Sequence, residues 1–305
     1  MEIAQSLVNG LSLGALYALI AVGYTVVYGI IQLINFAHGE IFMIGAFASL
    51  GTWIILGSQT PGPLWQLPLM LLGGIIAAVL VALLTERVAY RPLRNAPRLA
   101  PLITAIGVSV ILQEAVRLFV AKAAVPYPPV QGVSGEAIDL AGLIIQRSNV
   151  FTIGALLVCS GLLWMFINQT SMGRAMQATS QDPDTARLMG INVDRVIMVA
   201  FAVGAALAAV AGVAHGLRYG NIDFKMGFMA GLKAFTAAVL GGIGNIWGAV
   251  VGGLLLGLVE VLATDWIPGQ FGGSAWKDIW AFALLILVLV FRPQGLLGAR
   301  VVDRA

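Results

Sequence analysis

Asn35, His38 and Glu40 crowd six residues of an otherwise apolar stretch, INFAHGE at 34–40. An imidazole and a carboxylate this near each other could act as a gate or line a path for polar cargo. Ionisable groups at membrane depth usually face a bundle interior or a cavity. The same three side chains could equally serve interhelical hydrogen bonds that hold a bundle together. On a helix, residues 35 and 38 would share a face and 40 would point elsewhere, with Gly39 loosening the backbone locally. One His and one Glu without further ligands are too few for a metal site. Glu114 and Arg117, three apart, can pair on one helix face, and Lys233 and Glu260 can pair across neighbouring segments. No G-x-x-x-x-G-K-[ST] run occurs, so the chain is not expected to hydrolyse ATP through a P-loop. No Ser–Lys or Asp pair or His cluster suggests an intramembrane enzyme. The sole cysteine, Cys159, lies in an apolar run, which excludes an intrachain disulfide or a thiolate cluster.

A second group of residues has helix-punctuating chemistry. In QTSMGRAMQATSQDPDTARLMGINVDR at 169–195, a helix can continue through Gly173 and Arg174 to Gln181. Asp182 then reads as an N-cap with Pro183 at the first helical position. Asp184, Ala186, Arg187 and Leu188 fill the short helix, and Gly190 is suited to the left-handed turn after its end. The predicted segment is a helix, a break and a second short helix, exposed to water. A rigid element of this kind can transmit a rigid-body movement that a floppy loop would absorb. Composition alone would describe it as an ordinary solvated connector.

The elements that must position these residues follow from composition. The 305 residues are 59% hydrophobic and 10% charged, and mean hydropathy is +0.94. That is far fewer charges than the roughly 25% of soluble chains. Apolar runs cover approximately 7–29, 34–57, 66–86, 99–121, 149–168, 194–215, 226–243, 247–264 and 278–291. These predict an all-α polytopic transmembrane bundle with eight or nine spans, in one domain over 1–305. With nine crossings, Arg87, Arg91, Arg94, Arg98, Arg174, Arg187, Arg195, Arg292, Arg300 and Arg304 fall on one side. Lys122, Arg147, Arg218, Lys225 and Lys277 fall on the other, which puts the first set in the cytoplasm and the N-terminus outside. The scattered basic residues fit a membrane protein rather than a nucleic-acid-binding face. The first run is expected to be a retained span rather than a cleaved signal. Trp65, Trp266, Trp276 and Trp280 sit near outer span ends as interfacial anchors. Pro126, Pro128 and Pro129 block a continuous helix in the outer loop 122–148. Gly244, Gly248 and Gly252 repeat every four residues, which predicts one helical face for close packing, with Gly253, Gly257, Gly10 and Gly14 extending the theme. A broken helix at a substrate site is the alternative reading of these glycines.

The loop GRAMQATSQDPDTARLMGINVDR closely resembles the ATPase-facing loop of the LivH-type permeases of bacterial high-affinity branched-chain amino-acid ABC importers. NGLSLGALYALIAVGYTVVYGIIQLINFAHGEIFMIGAF, LGGIGNIWGAVVGG at 240–253 and FRPQGLLG at 291–298 are similar to the same family. The resemblance implies a multi-pass inner-membrane permease that forms the translocation path for Leu, Ile or Val. It also implies a LivM-like sister permease, two ATP-binding cassette subunits that hold ATP and Mg, and a periplasmic amino-acid-binding protein. No cofactor is expected on this chain, and no nucleic acid among its partners. Related urea or amide importers share similar permeases, and an ion-gradient-driven carrier is a further alternative. A carrier would want coupling carboxylates at mid-membrane, whereas Glu114 and Glu260 lie towards span ends.

Overall fold

The computed structural model describes residues 2–298 apart from 34, 58–59, 95, 98, 136, 141–142, 272 and 274. The expected cytoplasmic arginines Arg98, Arg300 and Arg304 therefore lie outside the described residues. The elements run α1 (Glu2–Ile31), α2 (His38–Ile55), α3 (Gln66–Thr85), α4 (Leu99–Phe119), β1 (Val125–Pro126), β2 (Ala137–Leu140) and β3 (Leu143–Gln146). They continue as α5 (Arg147–Gln169), α6 (Ser171–Gln181), α7 (Pro183–Leu188), α8 (Val193–Tyr219), β4 (Asn221–Ile222), α9 (Met226–Gly241), α10 (Ile246–Trp266) and α11 (Lys277–Phe291). Seven helices, α1 to α5, α8 and α10, are long and apolar enough to cross a membrane by length and composition. Two shorter helices, α9 with 16 residues and α11 with 15, occupy the remaining apolar runs.

Residues 122–148 depart from the all-α expectation. β1 pairs antiparallel with β4, and β2 with β3. Prolines keep the intervening chain extended. Tyr127 ties this loop to the bundle: its N–H donates to the Gly220 carbonyl at 2.8 Å, and its hydroxyl meets Ser49 Oγ at 2.7 Å. Its ring lies flat on Gly216, where an added Cβ would come within 2.6 Å of the ring.

α1 is apolar on every side, the signature of a helix with no solvent face. It is buried from Ser12 to Val27 without a gap. It lies along α10 more extensively than any other pair of helices do. Glycine makes that approach possible: a Cβ at Gly14 would stand 2.7 Å from Leu254 Cα, and one at Gly253 would stand 2.5 Å from Ala18 Cα. Gly10 faces Leu258, and Gly257 faces the Gly14 backbone. In lipid, where tails are as apolar as Leu, such backbone proximity is a main source of helix association.

Gly248 and Gly252 use the opposite side of α10 to approach α9 at Gly241 and Ala237. Gly244 does not belong to that face, which corrects the four-residue repeat read from sequence. It lies in the turn between α9 and α10 with φ +94°, after Gly242 at φ +105°. Those angles suit only glycine, and they reverse the chain so that Asn245 can cap α10 by accepting from the Trp247 and Gly248 N–H groups at 3.0 and 3.2 Å.

The glycine seam predicts a contrast. Gly14→Ala should destabilise the protein by about 1–3 kcal/mol through overpacking. Gly161→Ala, where nothing lies within 4 Å of the new Cβ, should be neutral or gain up to about 1 kcal/mol of helix propensity. Thermal unfolding of the detergent-solubilised variants orders them; equal midpoints would remove the seam's special role.

Candidate functional site

α1 ends at Ile31, Gln32 turns the chain with φ +53°, and α2 begins only at His38. The His38 N–H bonds the Asn35 carbonyl at 3.0 Å, and the Glu40 and Ile41 N–H groups both bond the Ala37 carbonyl at 3.1 Å. Asn35 thus stands before the helix and does not share a helical face with His38, which corrects the sequence expectation. The reason is depth. His38 lies between Gly23 of α1 and Gly204 of α8; a Cβ on Gly23 would come within 2.6 Å of His38 Nε2. Gly204 is eleven residues into α8, about 16 Å from its start. The connection therefore climbs back into the bundle before α2 can start. Irregular backbone at such depth is tolerated only where protein or a cavity covers it.

All three motif side chains are buried. Asn35 Oδ1 accepts from Tyr90 Oη at 2.6 Å. His38 stacks tilted against Tyr24 with ring centroids 4.5 Å apart, and Tyr24 and Phe36 both meet Phe235. Glu40 is 0% exposed. Its Oε1 accepts from Ser109 Oγ of α4 at 3.0 Å, while Oε2 has no hydrogen-bond partner among the described residues. Tyr24, Tyr28 and Phe235 also line a small hollow that shares Ile243 with a cavity of about 590 Å³ at the Arg-rich end. That cavity is bordered by Thr25, Gly29, Asn168, Gln177 and Asn245. A second cavity, of about 480 Å³, lies between Tyr28, Gln32, Arg94, Asp184 and Arg187. The aromatic cluster therefore joins the cavities at the Arg-rich end to the start of α2.

The segment 169–195 folds as its punctuation requires. Thr170 caps α6 by accepting from the Gly173 N–H at 3.0 Å. Gly173 is packed on the Ile167 backbone, where a Cβ would collide with its carbonyl. Arg174 follows within α6. Asp182 Oδ1 accepts from the Asp184 and Thr185 N–H groups at 2.9 and 3.1 Å, with Pro183 at the first helical position. The Thr185 hydroxyl, then its N–H, holds the exposed Asp182 carboxyl below the usual aspartate range. A depressed pKa means that the cap is intact above the ordinary aspartate range and is lost only as pH falls through the lowered value. Gly190 adopts φ +83°, and its N–H and that of Ile191 close the helix on the Arg187 and Ala186 carbonyls. Arg187 pairs with Asp184 at 2.7 Å. Ala186 is buried, whereas Leu188 and Met189 are 87% and 79% exposed.

Two further charge networks frame these sites. At the Arg-rich end, Asp194 receives both Arg91 and Arg94, and Arg94 also pairs with the buried Glu86. Pro92 lacks an N–H, and the chain before it widens into a π-helical turn over Glu86–Tyr90. Inside the bundle, Lys233 Nζ donates to Glu260 Oε1 at 2.8 Å and pairs with Asp278 Oδ1 at 2.6 Å. Tyr17 Oη donates to Glu260 Oε2 at 3.0 Å. The Lys233–Glu260 pairing was open to sequence reasoning. Asp278, Tyr17, Asp194 and Ser109 were missed, because each partner comes from a distant segment with no spacing signal. Glu114 and Arg117 do pair, at 2.6 Å on a half-exposed face of α4. Among the described residues, no three His, Cys, Asp or Glu side chains gather as metal ligands would.

A polytopic helical bundle with polar groups on a re-entrant connection and a capped helical loop at its Arg-rich end defines a multi-pass membrane protein. Comparisons with known proteins specify which. Residues 6–289 match the family model described as "Branched-chain amino acid transport system / permease component". The chain is 47% identical to the high-affinity branched-chain amino acid transport system permease protein BraD of Pseudomonas aeruginosa, over 98% of this chain and 97% of that protein. It is 45% identical to the high-affinity branched-chain amino acid transport system permease protein LivH of Escherichia coli K12, with the same coverage. The structure titled "PsaBC from Streptococcus pneumoniae in complex with Fab" shares the fold, with TM-score 0.50, 13% identity, and 94% and 91% of the two chains covered. The chain belongs to the branched-chain amino acid transport permease family.

The buried Lys233 network generates a test. Lys233→Met leaves Glu260 without its cation and should cost about 3–5 kcal/mol, whereas adding Glu260→Leu should recover most of that loss. Denaturation of the solubilised single and double variants measures it; a double variant no better than the single one would refute a paired role.

Proposed function

We propose that this chain is the permease subunit of an ATP-driven importer and forms the translocation path for branched-chain amino acids. One observation carries the reading: a chain 47% identical over nearly its whole length to a permease named for that transport carries a short, doubly capped helix with an exposed Leu–Met tip at its Arg-rich end. The importer would comprise a LivM-like sister permease, two ATPase subunits and a periplasmic binding protein. ATP and Mg would be held by the ATPases. The short helices α9 and α11 are counted as crossings, which gives nine spans and puts the N-terminus outside and the C-terminus inside. This count is supported by the described arginines Arg87, Arg91, Arg94, Arg174, Arg187, Arg195 and Arg292 falling at one end.

In this reading α7 sits in a groove of the ATPase, with Arg187 and Asp184 offering a paired charge and Leu188 and Met189 an apolar tip. Its caps matter because a stiff helix passes on a displacement that a loop would absorb. Gly173 sets the corner from which α6 and α7 project. Asn35, His38 and Glu40 line the path at its most constricted level, and the aromatic cluster around Tyr24 closes it towards the cytoplasmic cavities.

Exchanging the charges, Asp184→Lys with Arg187→Glu, keeps an oppositely charged pair on α7 and reverses its surface. The ATPase subunits should co-purify with the variant at about one tenth of the wild-type level or less, while its elution in size exclusion is unchanged. Undiminished co-purification would take the coupling role away from this helix. A wild-type complex that moves leucine on an ion gradient without ATP would overturn the importer itself.

A further inference from the structure

The geometry points to Glu40 and the first turn of α9 as the subsite that reads the head group of the cargo, a free α-amino acid zwitterion. Its ammonium lies on Glu40 Oε2, and its carboxylate lies on the open N–H groups of α9. The inference rests on the importer reading and deepens it.

Glu40 is fully buried, and one of its two oxygens lacks a donor. A buried acceptor left unmade is expensive, and more so when it is charged. It stands in the first turn of α2. The missing element is therefore a donor, and an ammonium group is one.

The second half of the subsite comes from another helix. Glu40 Oε2 lies directly against Gly227, where an added Cβ would collide with it, and Gly39 packs on Gly227 and Gly231. Gly227 stands in the first turn of α9. Lys225, in the capping position, contributes no side-chain bond to that turn. Neither Gly227 nor Phe228 N–H donates to any described group. Asp223 takes the Lys225 and Met226 N–H groups at 2.6 and 3.4 Å, and the open N–H groups that follow are donors a carboxylate can accept from.

A negative side chain and a positive helix end thus face one another across a seam of glycines. That dipole matches a zwitterion. A bare anion would meet the repulsion of Glu40, and a bare cation would meet the α9 terminus. Tyr24 Oη lies 3.2 Å from the Cβ position of Gly231, and with Phe235 it offers an aromatic wall beside the head-group site for a branched side chain. In the present conformation Gly227 itself fills the slot, so admission of cargo requires the start of α9 to withdraw from α2.

The test uses the assembled permease–ATPase complex without its binding protein. Equilibrium dialysis measures [³H]leucine binding, with leucinamide, which keeps the ammonium, and 4-methylpentanoate, which keeps only the carboxylate, as competitors. Wild type should bind leucine, with leucinamide competing partially and 4-methylpentanoate least. Glu40→Gln should weaken binding by at least about tenfold, the loss expected for one charged hydrogen bond, and Glu40→Asp should fall between. If Glu40→Gln fails to assemble, the competition series on wild type decides, because a site blind to the ammonium would be blocked equally by 4-methylpentanoate. Equal competition, a Glu40→Gln complex that binds like wild type, or a wild-type complex that imports leucine with ATP yet binds none would each overturn the assignment. A wild-type complex that imports no leucine with ATP even when its binding protein is added would instead overturn the importer reading.

Discussion

The backbones of α1 and α10 come together at Gly10, Gly14, Gly253 and Gly257 more closely than side chains would allow. In water the hydrophobic effect would pull any two apolar helices together, but in lipid it does not distinguish a helix from the surrounding tails. Association then depends on dispersion and on backbone proximity, which only small residues permit. This contact fixes α1 as the axis of the bundle. α8, α5 and α9 pack around it, and α2 packs on α8 and α9. α11, with only Ala281 buried along its length, joins the bundle through α10, α9 and the Lys233–Asp278 pair.

With the axis in place, the cost of burying polar groups selects where they sit. The Lys233 network satisfies its members with one another, which repays much of the desolvation of its ions. The Arg94 fork between Glu86 and Asp194 pairs its ions at the Arg-rich end, where solvent shares the burden, and leaves Glu86 Oε2 without a donor among the described residues. Asn35 is met by Tyr90 through Oδ1. Glu40 and Glu86 are both buried, and each keeps one carboxylate oxygen without a hydrogen-bond donor among the described residues.

Legibility followed the range of the interactions. The 169–195 loop was readable in detail because caps are local: Asp182 before Pro183 and Gly190 after Leu188 specify a helix without reference to anything distant. The Arg asymmetry likewise needed only the order of apolar runs. The glycines were half legible. Gly248 and Gly252 do form a packing face, but Gly244 matched their period while serving a turn, because positive φ leaves no periodic trace. The start of α2 was misjudged since INFAHGE reads as helix throughout. The break before His38 is imposed by the need to re-enter between α1 and α8, which is a tertiary constraint. Asp278 and Ser109 were beyond reach for the same reason.

These observations also bear on how a movement at the cytoplasmic face could reach the buried carboxylate. From α7 the chain turns through Gly190 to Asn192, which caps α8, and two residues later Asp194 grips Arg91 and Arg94. Those arginines bracket the end of the π-helical turn that carries Tyr90, and Tyr90 holds Asn35, whose carbonyl starts α2. Contiguity alone is not coupling; what transmits a displacement is an element with two discrete arrangements. The π-helical turn is the member of this series best suited to that role. Pro92 follows the turn and the Arg94–Glu86 pair spans it, and an α-helical register is the near alternative. A shift there would move Tyr90 relative to Asn35 and so alter the seat of α2, whereas the glycine seam of α1 and α10 would stay as it is.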